Sequence, residues 1–239
     1  MASWQRRTRS QVPNGEFRFS GYLEPEEIRA VINAVPSVSR HTERDQLLFE
    51  LLWQSGSRVS EALTLAPERI GMTSVVLVNL KQKKPLKDSN GKTVRDEKGK
   101  VVKVPDTDAT KEVEISESLC TRLKGFCVSN NIMPGEWVFK GNRNPKVPLS
   151  RWYVWNIMTK ASEVAMVFRF GKKNIRTGGR FKGAYPHSFR HSSAMFLLQE
   201  TSDISLVKEQ LGHSSIVTTQ GYAFAKRPKI RKAIKNIKW

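Results

Sequence analysis

Two cysteines and four histidines in 239 residues leave little room for disulfide or metal chemistry. Cys120 and Cys127 fall seven positions apart on what reads as one helix face, too far apart in that geometry to bridge. They read as reduced core or boundary residues of a reducing compartment, the cytoplasm. They are also too few for a structural zinc site without histidines nearby. No carboxylate cluster sits near the histidines, which argues against a metal-dependent nuclease. No apolar run approaches the roughly 18 residues of a membrane span. The start, Met1 to Arg7, lacks the apolar core of a signal peptide. Neither an internal repeat nor a low-complexity segment stands out.

Positive charge is what the chain has in excess. Forty-one Lys and Arg face 22 Asp and Glu, a formal net charge of +19, which implies a polyanionic partner. Nucleic acid is the usual one; a ribosomal or membrane-surface protein is the bland alternative. Hydrophobic content of 38% is adequate for a buried core, and the length suits one large domain or two small ones.

The first 22 residues are basic and irregular, with Pro13, Asn14, Gly15 and Gly21, and read as an arm. Pro25 followed by two glutamates suits a first helical turn, and Ile28, Val31, Ile32 and Val35 keep helical spacing until Pro36. A second helix spans about 42–54, with Leu47, Leu48, Leu51 and Leu52 as its apolar stripe. Ser55-Gly56-Ser57 breaks it, and a short helix carries Arg58 to Leu65. Ser74 to Leu80 reads as a strand and Lys111 to Ser116 as its partner. Between them, 81–110 is rich in Lys, Asp and Gly, with Asn90-Gly91 and Lys98-Gly99 as turn signals and Val101 to Val104 as a further short strand. This hairpin is either a solvated insertion or a DNA contact. Helices are expected at 117–130, 149–167, 187–200, 203–211 and 215–225, with a basic loop at 170–185. A basic amphipathic helix closes the chain, with Ile230, Ile234 and Ile237 on one face. The expected fold class is mainly α with a small antiparallel β-sheet (α+β).

Several residues suit phosphate chemistry. Arg58 follows a glycine-containing break at a helix start, where anions are favoured and a guanidinium fork fits a phosphate. Glu61, one turn later, can orient that arginine or a neighbouring histidine; a plain surface ion pair is the rival reading. His187 and Arg190 are spaced i, i+3 and project from one helical face, so one can hold a phosphate oxygen while the other moves a proton. His191 is read as pointing elsewhere, in a structural role. Gly212 ends the 203–211 helix as a C′ glycine should, leaving His213 in a tight corner; there it either faces the site or caps carbonyls. Tyr222 follows at the end of Thr218-Thr219-Gln220-Gly221-Tyr222.

Three blocks carry a resemblance. Gly56-Ser57-Arg58-Val59-Ser60-Glu61-Ala62-Leu63, then His187-Ser188-Phe189-Arg190-His191, then Leu211-Gly212-His213-Ser214 with Thr218-Thr219 and Tyr222, stand in the order of the tyrosine recombinase (phage integrase) signature. The chain resembles that family over about 23–225, its catalytic domain, followed by the basic helix 226–239. The resemblance implies that Tyr222 attacks a DNA phosphodiester, forming a 3′-phosphotyrosyl link and freeing a 5′-hydroxyl. Arg58 and Arg190 would clamp the non-bridging oxygens. His187 would accept the proton of the phenol, whose ordinary pKa is about 10. His213 would donate to the phosphate, with Glu61 supporting from behind. The family's general-acid lysine, on a β-hairpin, is by position Lys81, with Lys83 and Lys84 as close competitors. ATP is not implied, because the phosphotyrosyl link conserves the bond energy, and the resemblance implies no metal or other cofactor either.

The implied partner is double-stranded DNA, with self-association into a dimer or tetramer on it and an accessory protein as a further candidate. Residues 227–238 would dock on a neighbouring subunit or lie on DNA. Many relatives carry a helical DNA-binding domain of roughly 80–100 residues before the catalytic one. Arg58 arrives too early for it and residues 1–22 supply only an arm, so the expectation is a less complete clasp of DNA, help from a partner protein, or reliance on the basic hairpin and the 169–183 loop. The reaction would be site-specific integration, excision or resolution. The alternatives are a type IB topoisomerase, which applies the same chemistry to one strand, and an accessory DNA-binding protein that has lost catalysis.

Overall fold

The computed structural model describes residues 22–80, 83–105, 109–170 and 181–212. Lys81, His213, Tyr222, the arm before residue 22, most of the basic loop and the expected helices at 215–225 and 227–239 lie outside these residues.

Helix α1 (Pro25–Asn33) begins with Pro25, and the Glu27 carboxylate accepts from the Glu24 amide at 2.8 Å. Pro36 does not simply stop it; it sits inside a 3-10 turn, Val35–Ser37. Helix α2 (Thr42–Ser55) is the hub. Leu47, Leu48, Phe49, Leu51 and Leu52 are all buried, and apolar residues around most of a helix mean neighbours on most sides. Full burial of one such side chain contributes about 1.5–3 kcal/mol. Phe49 meets Phe189 edge-on, ring centroids 6.0 Å apart, which packs α2 on α6 (Pro186–Thr201). The short helix α3 (Val59–Ala62) is half the length expected.

Strands β1 (Ser74–Val78) and β4 (Thr110–Glu114) form an antiparallel ladder in which Val75 faces Val113 and Leu77 faces Lys111. Alternation along β4 turns Val113 into the core, and Lys111, two positions away, shares its face. Helix α4 (Glu117–Ser129) follows, capped by the Ser116 hydroxyl, and buries both free cysteines. Helix α5 (Arg151–Val164) is capped by Ser150 and ends sooner than its apolar pattern suggests. Met166 takes a left-handed conformation (φ 57°), and the chain leaves as β5 (Phe168–Phe170), paired with β6 (Phe181–Gly183). The ends of the expected loop are thus a hairpin. Helix α7 (Ile204–Leu211) is capped by Asp203 and closed by Gly212. The described sheet structure comprises three two-stranded antiparallel ladders. Among the described residues no helix is long and apolar enough to cross a membrane.

The insertion corrects the expectation that the chain has no internal repeat. After β2 (Lys83–Pro85) and before β3 (Lys103–Pro105), two eight-residue units follow each other. They read Lys87-Asp-Ser-Asn-Gly-Lys-Thr-Val94 and Arg95-Asp-Glu-Lys-Gly-Lys-Val-Val102. In the first, the Asp88 carboxylate accepts from the amides of Asn90 and Lys92 at 2.9 Å each. In the second, Asp96 accepts from Lys98 at 3.0 Å and Lys100 at 2.9 Å. The units close through a ring of main-chain bonds, Leu86 to Val102, Val102 to Val94 and Val94 to Leu86, at 2.8–3.0 Å. The repeat is too short and too polar to show in hydrophobic periodicity; the twice-used Asp-x-x-Gly-Lys spacing is its signature.

Candidate active site

Arg58 and Arg190 belong to distant parts of the sequence, and the fold joins them through one polar cluster. Gly56 ends α2 in the left-handed region (φ 56°), and a Cβ there would lie 2.3 Å from Leu211 Cδ2. Only glycine fits both the backbone and the space. That close approach lets the Gly56 carbonyl accept from Arg190 Nη1 at 2.6 Å. Arg190 Nη2 donates to the Leu211 carbonyl at 2.9 Å, at the end of α7. One buried guanidinium therefore ties the end of α2 to the end of α7. Arg190 is 3% exposed, so these bonds offset a large desolvation cost.

Arg58 is the residue immediately before α3, and Glu61 reaches back to it. The Glu61 carboxylate accepts from the Arg58 amide at 3.1 Å and from Arg58 Nη1 at 2.5 Å. Glu61 is wholly buried, which replaces the rival reading of a surface ion pair. Arg58 keeps about a quarter of its side chain exposed. Its Nε and Nη2 have no partner among the described residues, which leaves them available as donors.

The sequence reading missed Lys111. Its ammonium lies 3.0 Å from Glu61 Oε2 and donates to the Leu211 carbonyl at 3.3 Å, the acceptor that Arg190 also uses. A lone lysine in a strand carries no motif; the signal was its place on the inward face of β4. Three cations share the cluster with one carboxylate, a surplus suited to an anion. Burial alone would raise the Glu61 carboxyl, but Lys111, the Arg58 amide and the Arg58 guanidinium outweigh it and hold it below its ordinary value. Burial pushes the Lys111 ammonium down, Glu61 opposes this, and Arg190 and Arg58 add to the lowering.

Helix α7 is fixed from a second side. The Gln210 amide donates to the Glu114 carbonyl at 2.6 Å and accepts from the Glu114 amide at 3.1 Å, pairing with β4 as a strand would. Gly212, at φ 64°, then turns the chain beside Lys111; a Cβ there would stand 3.0 Å from Lys111 Cδ.

His187 lies on the first turn of α6, exposed, one turn before Arg190. His191 does not point elsewhere: the two imidazoles meet edge-on with centroids 4.6 Å apart, because i and i+4 share a helix face. The structure thus unites Arg58, Glu61 and Arg190 and places His187 on the helix of Arg190. Lys81, His213 and Tyr222 fall outside the described residues, although His213 directly follows Gly212 in the sequence. Among the described residues no group of His, Cys, Asp and Glu is arranged to hold a metal ion.

The tyrosine recombinase XerD of Staphylococcus saprophyticus is 27% identical over 222 residues, covering 93% of this chain and 64% of the relative. The crystal structure of XerA recombinase superposes with a TM-score of 0.60 at 20% identity, over 91% of this chain and 66% of that one. XerH site-specific recombinase, crystallised with its difH substrate before cleavage, gives 0.58 at 19% identity over 85% and 50%. The chain therefore spans about half to two thirds of these proteins, and the structural likeness establishes the fold. Residues 21–227 match the model of the phage integrase family, and the chain belongs to that family.

Proposed function

We propose that this protein is a tyrosine-type site-specific DNA recombinase, which cleaves and rejoins DNA through a 3′-phosphotyrosyl intermediate without metal or ATP. The observation that carries the reading is the convergence of Arg58 and Arg190 on one buried frame, with surplus positive charge and unengaged donors on Arg58 among the described residues. Two guanidiniums held in fixed directions stabilise the charge that spreads over the non-bridging oxygens in the transition state. Tyr222 is the nucleophile, His187 the acceptor of its proton, and His213 a donor to the phosphate. Lys81, with Lys83 and Lys84 as competitors, protonates the leaving 5′-oxygen. Glu61 orients Arg58.

The partner is double-stranded DNA. The turn repeat is a second contact: Lys87, Lys92, Arg95 and Lys100 are exposed, while Asp88 and Asp96 are engaged by backbone amides. Self-association on DNA through 227–238, and an accessory protein, belong to the same proposal.

The test is incubation without metal on supercoiled plasmid carrying the DNA that flanks the coding gene, a detergent quench, and a search for protein joined to a 3′-phosphate. An adduct lost in Tyr222→Phe supports the reading. Recombinant circles separate a recombinase from an enzyme that only relaxes DNA. Salt-sensitive binding without any adduct would instead indicate an accessory DNA-binding protein.

A further inference from the structure

We infer that Lys111 is a positioning residue for strand cleavage, the ammonium that sets Arg58 and Arg190 in one frame and fixes the end of α7 beside them. The inference rests on the proposed function above.

Three observations carry it. Lys111 stands on the inward face of β4, where Val113 occupies the equivalent core position and an apolar side chain would serve packing better. Its side chain is 10% exposed, so the charge is carried into the interior rather than snorkelled to water. Its two bonds then go to the groups that locate the arginines. Glu61 Oε2 is the other half of the carboxylate that holds Arg58, and the Leu211 carbonyl is the acceptor that Arg190 grips. Without Lys111, Glu61 would balance Arg58 alone and the Leu211 carbonyl would keep a single donor among these cations. Arg58 could then swing with Glu61, and the Gly212 corner could drift from Arg190.

The charged groups facing Lys111 are Glu61 of α3, Arg58 at the start of α3 and Arg190 of α6; α7 offers only a carbonyl. Burial and the two arginines lower the lysine's pKa more than Glu61 raises it. The protonated form therefore costs the fold free energy, which suits a charge placed for the site rather than for stability. It also gives the test a pH signature. Lys111 should lose its proton below the ordinary value of 10.5, whereas arginine at the same position stays charged.

The experiment compares wild type, Lys111→Met and Lys111→Arg in adduct formation on the plasmid described above, with DNA affinity and thermal midpoint measured in parallel. Lys111→Met should slow adduct formation about 100-fold, the scale for losing one aligned transition-state donor. DNA affinity should stay within about threefold, since phosphate contacts elsewhere dominate it. Lys111→Arg should restore at least about a tenth of the rate and hold it to higher pH than wild type, whose rate should fall first as pH rises. Lys111→Met at full rate overturns the inference. So does a Lys111→Arg protein as slow as Lys111→Met, or one whose pH profile superimposes on wild type. If Lys111→Met does not fold, the pH comparison of wild type with Lys111→Arg decides alone. Absence of any adduct from wild type refutes the proposed function, and this inference with it.

Discussion

The arginine cluster and the turn repeat are both dense in charge, and they are held together in opposite ways. In the cluster every charge is buried or half-buried, and the bonds join distant segments: Arg190 to Gly56, Lys111 to Leu211. In the repeat the side chains are exposed and each aspartate bonds amides two and four residues on. Charge that organises a fold is desolvated and must be matched group by group; charge that meets a solvated polyanion only needs a scaffold that keeps its own acids occupied.

Removing Arg190 should give the largest effect. Arg190→Met leaves two carbonyls without their guanidinium and should cost about 3 kcal/mol, read from the urea midpoint, while abolishing adduct formation. Gly56→Ala comes next. Its strained φ and the clash with Leu211 should cost about 2 kcal/mol and slow cleavage, although no catalytic atom is removed.

Glu61 sharpens the contrast through pH. Its carboxyl is held below the reference value of 4.5, so the folded chain binds that proton less readily than the unfolded one. Its stabilisation is therefore complete above the unfolded pKa and is lost as pH falls through the lower folded one. Glu61→Gln should flatten that acid limb in urea titrations as pH falls below the reference value of 4.5, and it should also loosen Arg58 and slow cleavage. The smallest effect on stability should come from replacing Lys87, Lys92, Arg95 and Lys100 together by alanine. The urea midpoint should stay within about 0.5 kcal/mol. The dependence of log affinity on log salt should nonetheless flatten by up to about 3–4, one near-unit step per lost phosphate contact. A fall in stability with no change in salt slope would reverse the roles assigned to the two regions.

The same contrast explains what could be read from the sequence. Helices α1, α2, α4 and α7 were legible because caps, apolar spacing and a closing glycine agreed locally. The i, i+3 spacing put His187 and Arg190 on one helix face, but no physical sign in the sequence showed that Arg58 would share a polar cluster with Arg190. Lys111 carried only the weak signal of its place on the inward face of β4, because its meaning lies in partners on three other elements. The hairpin β5–β6 was missed because Met166 ends α5 within a run that still looks helical. His191 was turned away from His187 by a reading that neglected the four-residue repeat of a helix face.

The pairing of Gln210 with Glu114 has a further consequence. Among the described residues the β1–β4 ladder has two strands, and β4 presents its outer edge there. An unpaired edge is a template on which another chain can add a strand and seed aggregation. At Glu114 both outward groups are already taken by one side-chain amide. Gln210 therefore serves as a stopper on the sheet as well as an anchor for α7. Trimming it to alanine would remove one of the two holds on α7 and bare the edge at Glu114 in a single step.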